Sequence, residues 1–231
     1  MNVLERLNEL SDLKYKEFNK KIISNEKYMI GVRTNDLKLI AKELVLNNEL
    51  DYLNLHHKYH EEKMIHMFML SYIKDYKLVY DKLDSFVPYI SNWAVCDSLT
   101  NIKIIKKHRD YFYNLVLKYI KSNKEYELRF SIVMLLFHFI MDEYIDSIYN
   151  MINIALDNAK DYYSKMAISW LLCELMIKYR DKTLLYIKEN EIDPFILNKA
   201  ISKMCDSYRI SNDDKEILKT LKIRWFYDAF R

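Results

Sequence analysis

Glycine and proline are almost absent from this chain of 231 residues, which contains one glycine and two prolines. Sheet proteins depend on glycine, proline and Asn-Gly turns to reverse the chain between strands. The composition therefore excludes a sheet-rich fold and predicts an all-α protein whose helices are joined by short polar turns. A glycine-rich nucleotide-binding loop is excluded for the same reason, because it needs several glycines close together.

Cysteines and long apolar runs are also scarce. Cys96, Cys173 and Cys205 are odd in number, far apart and set in apolar helical context, so we expect a reducing compartment without a disulfide framework or a zinc site. The longest apolar run, 132–140, contains His138 and is too short to span a bilayer. The first twelve positions hold three acidic residues where a signal peptide would be apolar. These features predict a cytoplasmic protein with no membrane partner.

Positive charge is concentrated in one part of the chain. The net charge is only +3, but residues 101–135 hold eight basic against three acidic side chains. A local basic stripe of this kind can bind phosphate groups while the total charge stays near neutral. A lysine-rich face that is merely solvated is the alternative. The basic members are Lys103, Lys106, Lys107, Arg109, Lys118, Lys121, Lys124 and Arg129.

The spacing of apolar residues predicts a series of helices in pairs, one shorter and one longer, which recur every 35 to 40 residues or so. This is the spacing of HEAT-like helical hairpins, so we expect a single domain, 1–231, built as a right-handed solenoid with a concave groove. The N-terminal helix would be followed by a turn or close backbone approach at Gly31 and by a helix that Thr34 caps. The predicted helices are 2–23, one from Thr34, 49–56, 60–75, 77–86, 89–106, 110–122, 125–141, 143–158, 161–179, 181–190, 194–206 and 211–230, the last of which includes Arg224 and Trp225.

Trp93 and Asp97 stand at i and i+4 in the predicted 89–106 helix, on one face. An indole beside a carboxylate suits a cationic ligand, because the ring face and the carboxylate both attract positive charge. A half-buried tryptophan beside a capping or ion-paired aspartate is the structural alternative. His56 and His60 share the same i, i+4 spacing, but they lack a third ligand of clear spacing, so we predict no metal site.

Arg129 and Trp170 occur at intervals that match one helical hairpin each. Trp93 and Arg129 are 36 residues apart, and Arg129 and Trp170 are 41 apart. Equivalent helices of a solenoid point the same way, so we expect Trp93, Asp97, Arg129 and Trp170 on one concave wall, with Arg129 reaching across the groove. Fold stability does not require such a constellation.

On these residues the chain resembles the AlkD-type DNA glycosylases, the HEAT-repeat DNA alkylation repair proteins. The resemblance covers roughly residues 15–205. It is carried by Gly31-Val32-Arg33-Thr34, by Trp93 followed four residues later by Asp97, by Arg129 with Tyr126 three residues before it, and by Ala167-Ile168-Ser169-Trp170. The chain departs from the family pattern at Asn92, where the family has a second tryptophan, and at Cys173, where it has an arginine.

The resemblance implies hydrolysis of the N-glycosidic bond of N3- or N7-alkylated purines in double-stranded DNA, by a monomer without a cofactor and without deep base flipping. It implies Asp97, Trp93 and Trp170 as catalytic residues and Arg129, Thr34 and Tyr126 as DNA-binding residues. A non-catalytic HEAT-like scaffold that binds DNA or a protein partner is the alternative function, since some relatives with this fold lack the catalytic residues.

Overall fold

The computed structural model describes residues 2–223, which are helices and turns without a strand, and this confirms the all-α prediction. The chain divides into two compact units, Met1–Tyr119 and Ile120–Arg231, described one at a time below. Within each unit, helices pack on their neighbours as the repeats of a helical solenoid do. The single domain, the handedness and the concave groove stay predictions. None of the helices between residues 2 and 223 has the length and apolar character needed to cross a membrane.

The first unit contains seven α-helices among its described residues. They are α1 (Val3–Glu9), α2 (Leu13–Ile22), α3 (Thr34–Leu46), α4 (His60–Tyr72), α5 (Tyr76–Phe86), α6 (Trp93–Asp97) and α7 (Arg109–Tyr119). Short 3₁₀ segments lie between them at Leu50–Asn54, Val87–Tyr89, Ser98–Asn101 and Lys103–Lys107. The centre of the unit is α4, which packs against α3, α5 and α6 and is buried along most of its length.

The second unit contains six α-helices among its described residues. They are α8 (Glu125–Met134), α9 (Ile145–Asn158), α10 (Tyr162–Lys178), α11 (Arg180–Glu189), α12 (Pro194–Asp206) and α13 (Asn212–Thr220). A π-helical segment, Leu135–Phe139, continues α8. The central helix is α10, which packs against α8, α9, α11 and α12. It buries Ala167, Ile168, Leu171 and Leu175 and carries Trp170.

Side-chain caps start many of these helices in a chain that has little glycine or proline with which to punctuate them. At each of these caps a short side-chain oxygen accepts an N–H from the first turn, which would otherwise lack a partner. Each such cap typically contributes about 1 kcal/mol. The capping residues are Asn2, Asp12, Asp75, Asn92, Asp193 and Ser211.

Four predicted helices were wrong in extent or type. The 2–23 helix is two helices, because Asp12 accepts the N–H of Tyr15 at 3.0 Å and starts α2. The 89–106 helix is the five-residue α6 followed by two 3₁₀ segments, with a break at Ile102 (φ −83°, ψ 75°). The 125–141 helix changes to π geometry after Met134. The 49–56 helix is the 3₁₀ segment Leu50–Asn54.

The predicted cap at Thr34 was also wrong. Arg33 occupies the cap position in extended conformation and makes no side-chain cap hydrogen bond, and Thr34 is the first helical residue. In the last predicted helix, α13 ends at Thr220, and Arg224 and Trp225 lie outside the described residues. The other predicted helices begin and end within three residues of the observed positions.

Candidate nucleic-acid interface and active site

The short helix that carries Trp93 and Asp97 begins at Asn92, which is completely buried. The Asn92 side-chain oxygen accepts the N–H of Val95 at 3.0 Å and caps α6. Its amide nitrogen donates to the carboxylate of Glu26 at 2.9 Å and lies 3.2 Å from Nδ1 of His60. Both the oxygen and the nitrogen of this side-chain amide thus help to fix the start of α6.

Glu26 is the centre of a buried polar cluster under α6. Its Oε2 also accepts hydrogen bonds from the Ser91 hydroxyl at 2.6 Å and from the Lys63 amine at 3.2 Å. Burial by itself raises the pKa of Glu26, but these donors and the charge of Lys63 outweigh it and hold the pKa below its usual value. Burial lowers the pKa of His60, so this ring is neutral. An ionised carboxylate with three donors is a rigid support for the residues that follow.

Trp93 and Asp97 are the first and last residues of α6, so they lie one turn apart on the same face, and both are half-buried. The indole N–H of Trp93 points to the carbonyl of Ile22 at a long 3.4 Å. Asp97 also stands at the cap position of the Ser98–Asn101 segment, but its side chain makes no cap hydrogen bond there. The side chain of Asp97 is therefore not the cap of this segment.

A second carboxylate, Glu61, organises the backbone ahead of Thr34. This buried side chain accepts the N–H groups of Ile30 at 2.9 Å, Gly31 at 2.6 Å and Val32 at 3.4 Å. Gly31 has φ +100°, and an added Cβ would lie 2.7 Å from the carbonyl oxygen of Asp12, so no other residue fits without strain. Thr34 is exposed at the N-terminus of α3, where backbone N–H groups favour anions.

Arg129 is buried, with 5% of its surface exposed, and its Nη1 donates to the carbonyl of Tyr163 at 2.8 Å. We expected it at the edge of the apolar stripe, reaching across a groove, whereas the structure places it between α8 and the first turn of α10. Two other residues of α8 also hold Tyr163. Glu125 accepts the Tyr163 N–H at 2.7 Å, and the ring of Tyr126 stacks on the Tyr163 ring with the ring centres 5.8 Å apart. Arg129 thus fixes the helix that carries Trp170.

Trp170 is half-buried on α10, and the ring of Phe137 packs edge-on against it with the two ring centres 5.3 Å apart. Phe137 comes from the π-helical segment, a geometry that is frequent at functional sites. The buried hydroxyl of Ser169 lies within hydrogen-bond distance of the carbonyls of Lys165 (3.0 Å) and Ile196 (2.9 Å), which joins α10 to α12.

Cys173, which stands where the family has an arginine, faces the same side as Trp170 and helps to line a cavity with it. Burial raises the pKa of the Cys173 thiol to about 11, so the thiol stays protonated near neutral pH and is a poor nucleophile. This chain therefore has neither a cation nor a reactive thiolate at this position.

Part of the basic stripe is neutralised locally. Lys118 forms an ion pair with Asp84 at 2.7 Å, and Lys124 pairs with Glu127 at 2.9 Å. Three exposed lysines of the stripe follow α6 within ten residues of Asp97 and form no ion pair within the described part of the chain. They are Lys103, Lys106 and Lys107. In the first unit, these three are the best candidates for contacts with phosphate.

The predicted site residues fall in both units. Trp93, Asp97 and Thr34 belong to the first, and Arg129, Tyr126 and Trp170 belong to the second. The structure brings Trp93 and Asp97 together on α6, and joins Arg129 and Tyr126 to the helix of Trp170 through Tyr163. The single concave wall that would unite all of them stays a prediction. Between residues 2 and 223, no three His, Cys, Asp or Glu side chains form a group suited to a metal ion.

Sequence reasoning missed the buried cluster of Glu26, His60, Lys63, Ser91 and Asn92. An asparagine directly before a helical pair is a good N-cap signal, and it could have identified Asn92 as the start of α6. The partner Glu26 lies 66 residues earlier, and no local pattern links the two positions.

These features define a class: over residues 2–223, an all-helical protein with a tryptophan–carboxylate pair on a rigid support, followed in the chain by exposed lysines that form no ion pair there. The family model described as DNA alkylation repair enzyme matches residues 3–204, and the chain belongs to this family. Membership in this family supports a role for the protein in DNA repair and implies that it is an enzyme with DNA as its substrate. No curated protein matches the sequence.

Proposed function

We propose that this protein is a DNA glycosylase that hydrolyses the N-glycosidic bond of cationic N3- or N7-alkylated purines in duplex DNA. The observation that carries this proposal is the pairing of Trp93 and Asp97 on α6. Asp97 does not cap the segment that follows it, and Asn92 and Glu26 hold the start of the helix rigidly. A fixed carboxylate beside an aromatic ring is suited to stabilising a positive charge.

The chemistry requires little more than such a charge. An alkylated purine is already cationic and is a good leaving group, so the enzyme need not donate a proton to it. As the bond breaks, positive charge develops on the deoxyribose, as it does in glycoside hydrolysis. Asp97 would stabilise this charge electrostatically and position the attacking water. This role needs a carboxylate with access to the sugar, and the half-buried position of Asp97 is compatible with that.

Trp93 would contact the sugar–phosphate backbone and add cation–π attraction to the charge near Asp97, and Trp170 would contribute an aromatic contact with DNA from the second unit. Trp170 is well suited to such a contact because Phe137 and the Ser169 hydroxyl restrain its helix and its ring. This arrangement would let the enzyme act on the sugar without drawing the base into a deep pocket, unlike most base-flipping enzymes.

DNA binding would rest on phosphate contacts. Thr34 at the N-terminus of α3 and the three unpaired lysines are exposed and can reach phosphates directly. Tyr126 and Arg129 would contribute from the second unit. The burial of Arg129 gives it a positioning role toward Tyr163 in addition to the predicted phosphate contact.

The direct test is incubation of the purified protein with duplex DNA that contains 7-methylguanine, followed by detection of the free base. We expect release of 7-methylguanine and 3-methyladenine, and no release of uracil or hypoxanthine from matched duplexes, because neutral bases need a proton that this site does not supply. DNA binding without release of any base would instead favour the non-catalytic scaffold. Release of neutral bases at the same rate would contradict the electrostatic mechanism.

A further inference from the structure

A cleft runs along α10 within the second unit, where two surface cavities adjoin. One cavity, of about 480 Å³, opens beside Trp170, and the other, of about 360 Å³, opens beside Lys178. Glu174 and Arg209 line both cavities, so these two residues lie where the cavities meet. The two cavities together are called the α10 cleft below.

Arg209 stands in the turn after α12 and is held there on two sides. Its backbone N–H donates to the Ser207 hydroxyl at 3.2 Å, and the residue that follows it, Ile210, is buried. Its Nη2 donates to the carboxylate of Glu174 on α10 at 2.7 Å, yet 45% of the side chain is exposed. The Nε and Nη1 groups make no hydrogen bond with any residue between 2 and 223. Glu174 thus orients the guanidinium and leaves most of its donors open to a ligand.

Further positive charge lines the α10 cleft on both sides of Arg209. Lys203 forms no ion pair with any residue of the described range 2–223. Lys178 donates one hydrogen bond, to a backbone carbonyl at 2.8 Å, and keeps two of its three donors. The carboxylates that line the cleft are Glu174, which Arg209 neutralises, and Asp206. Three cations against two carboxylates leave a net positive charge, which favours an anionic partner.

The charges of Arg209 and Lys203 reach the part of α10 that carries Trp170. Burial and Glu174 raise the pKa of the Cys173 thiol, and the charges of Lys203 and Arg209 act against this effect, so both cations lie close to the thiol. Trp170 lies one helical turn before Cys173, on the same side of α10. Cations beside an exposed aromatic ring suit a nucleic-acid strand, which presents phosphate charge and apolar ring faces together.

We propose that Arg209 binds a phosphate of the DNA strand that contacts Trp170, and that Glu174 positions the guanidinium for this contact. The inference rests on the proposed function, because that function brings DNA to Trp170. The planar guanidinium can hold two phosphate oxygens at once, and Lys203 adds a point charge toward the same strand. The turn after α12 thus supplies the cation that the neutral thiol of Cys173 cannot supply.

The affinity of the intact protein for duplex DNA tests this contact without requiring base release. Arg209→Ala should weaken binding to damaged and undamaged duplexes alike, by about tenfold, and should reduce the slope of log K against log salt by about 1. Arg209→Lys keeps the charge and loses only the fork, so it should keep the wild-type slope and lose less affinity. Lys188→Ala, at an exposed lysine of the same unit outside the cleft, is the matched control and should change neither quantity.

Glu174→Gln separates the phosphate contact from a simpler effect, the repulsion of DNA by a carboxylate that Arg209→Ala leaves unpaired. In the Glu174→Gln background no such carboxylate is present, and Arg209→Ala should still lower both the affinity and the salt slope. Thermal unfolding of each variant is recorded in the same buffer, and little loss of stability is expected because the Arg209–Glu174 pair is partly exposed. A double variant that binds DNA as tightly as Glu174→Gln alone would overturn the proposal.

The role of Arg209 and the proposed function fail in different ways. Release of 7-methylguanine by a wild-type protein whose DNA affinity is unaffected by Arg209→Ala would overturn the role of Arg209 alone. DNA binding that depends on Arg209, in a protein that releases no base, would support the phosphate contact and overturn the proposed reaction.

Discussion

The side-chain amide of Asn92 donates a hydrogen bond of 2.9 Å to the carboxylate of Glu26, a residue 66 positions earlier in the chain. This bond links the start of the Trp93–Asp97 helix to the buried interior of the first unit. A five-residue helix has too few internal hydrogen bonds to hold its own geometry. The position of Asp97 therefore depends on Asn92 and on the cluster around Glu26.

Asn92→Ala should destabilise the protein and slow base release. The variant loses the cap of α6 and one donor to a buried carboxylate, which together should lower the free energy of unfolding by roughly 2–4 kcal/mol. Urea denaturation measures the stability, and the excision assay measures the rate. Asn114→Ala, which removes an exposed asparagine of the same unit, is the control and should change the stability by less than about 0.5 kcal/mol. Equal stability of the two variants would contradict the anchoring role.

The three unpaired lysines after α6 predict a strong salt dependence of DNA binding. Each phosphate contact releases counterions, so Lys106→Ala or Lys107→Ala should reduce the slope of log K against log salt by about 1. Lys188→Ala, at an exposed lysine outside the stripe, should leave the slope unchanged. Binding isotherms between low and physiological salt measure this. A DNA affinity of the wild-type protein that does not change with salt would contradict every function that uses DNA.

Arg129→Ala should weaken binding to damaged and undamaged DNA alike, because a phosphate contact reads no base. It should also lower the free energy of unfolding by about 1.5–3 kcal/mol, since the carbonyl of Tyr163 loses a charged donor in a buried setting. Binding and thermal unfolding are measured on the same preparation. Lower stability with unchanged DNA affinity would show that Arg129 only positions α10 and would remove it from the DNA-binding residues.

Three histidines, of which His60 and His66 are buried and His57 is half-buried, predict loss of stability in mild acid. Burial is the largest effect on each of them: it lowers the pKa of His57 to about 4 and also lowers the pKa values of His60 and His66. Each folded pKa lies below the ordinary value of 6.5. Below that pH the unfolded state binds protons that the folded state does not, so the stabilisation is full above about 6.5 and falls as the pH drops toward 4.

Between pH 6.5 and 4, the free energy of unfolding should fall by up to about 1.4 kcal/mol per pH unit for each histidine that stays neutral in the folded state. Glu26 adds a further loss below about pH 4.5, because its pKa is also depressed in the folded protein. Denaturation in urea at a series of pH values between 8 and 4 measures the curve. His66→Leu should reduce this pH dependence by the contribution of one proton, about 1.4 kcal/mol per pH unit. A wild-type free energy of unfolding that is constant from pH 8 to pH 5 would contradict the account.

Composition and periodicity were enough to predict the all-α fold and the positions of most helices, because both depend on local spacing and on the scarcity of glycine and proline. At Gly31, local reasoning predicted the backbone geometry but not the residue that holds it. The lone glycine predicted a turn or a close backbone approach, and the structure has φ +100° and Asp12 and Lys16 packed against it. The carboxylate that holds this segment, Glu61, comes from a distant helix, which the sequence does not reveal.

The candidate site was predictable to the extent that its residues share one helix. Trp93 and Asp97 needed only i, i+4 spacing, and α6 provides it. Arg129 was placed less well, because its partner is a backbone carbonyl 34 residues away, and burial of a charged side chain depends on such distant partners. The same limit applies to Asn92, which looked like a departure from the family and is the cap of α6.

The central claim is that the charge of Asp97 accelerates base release, and Asp97→Asn tests it most directly. The substitution keeps the shape of the side chain and removes its charge, so single-turnover release of 7-methylguanine from duplex DNA should fall by about 10²–10³ while DNA affinity is kept or increases. Asp81→Asn, which removes an exposed charge from the same unit, should behave as wild type. Wild-type release of 7-methylguanine by Asp97→Asn would contradict the account.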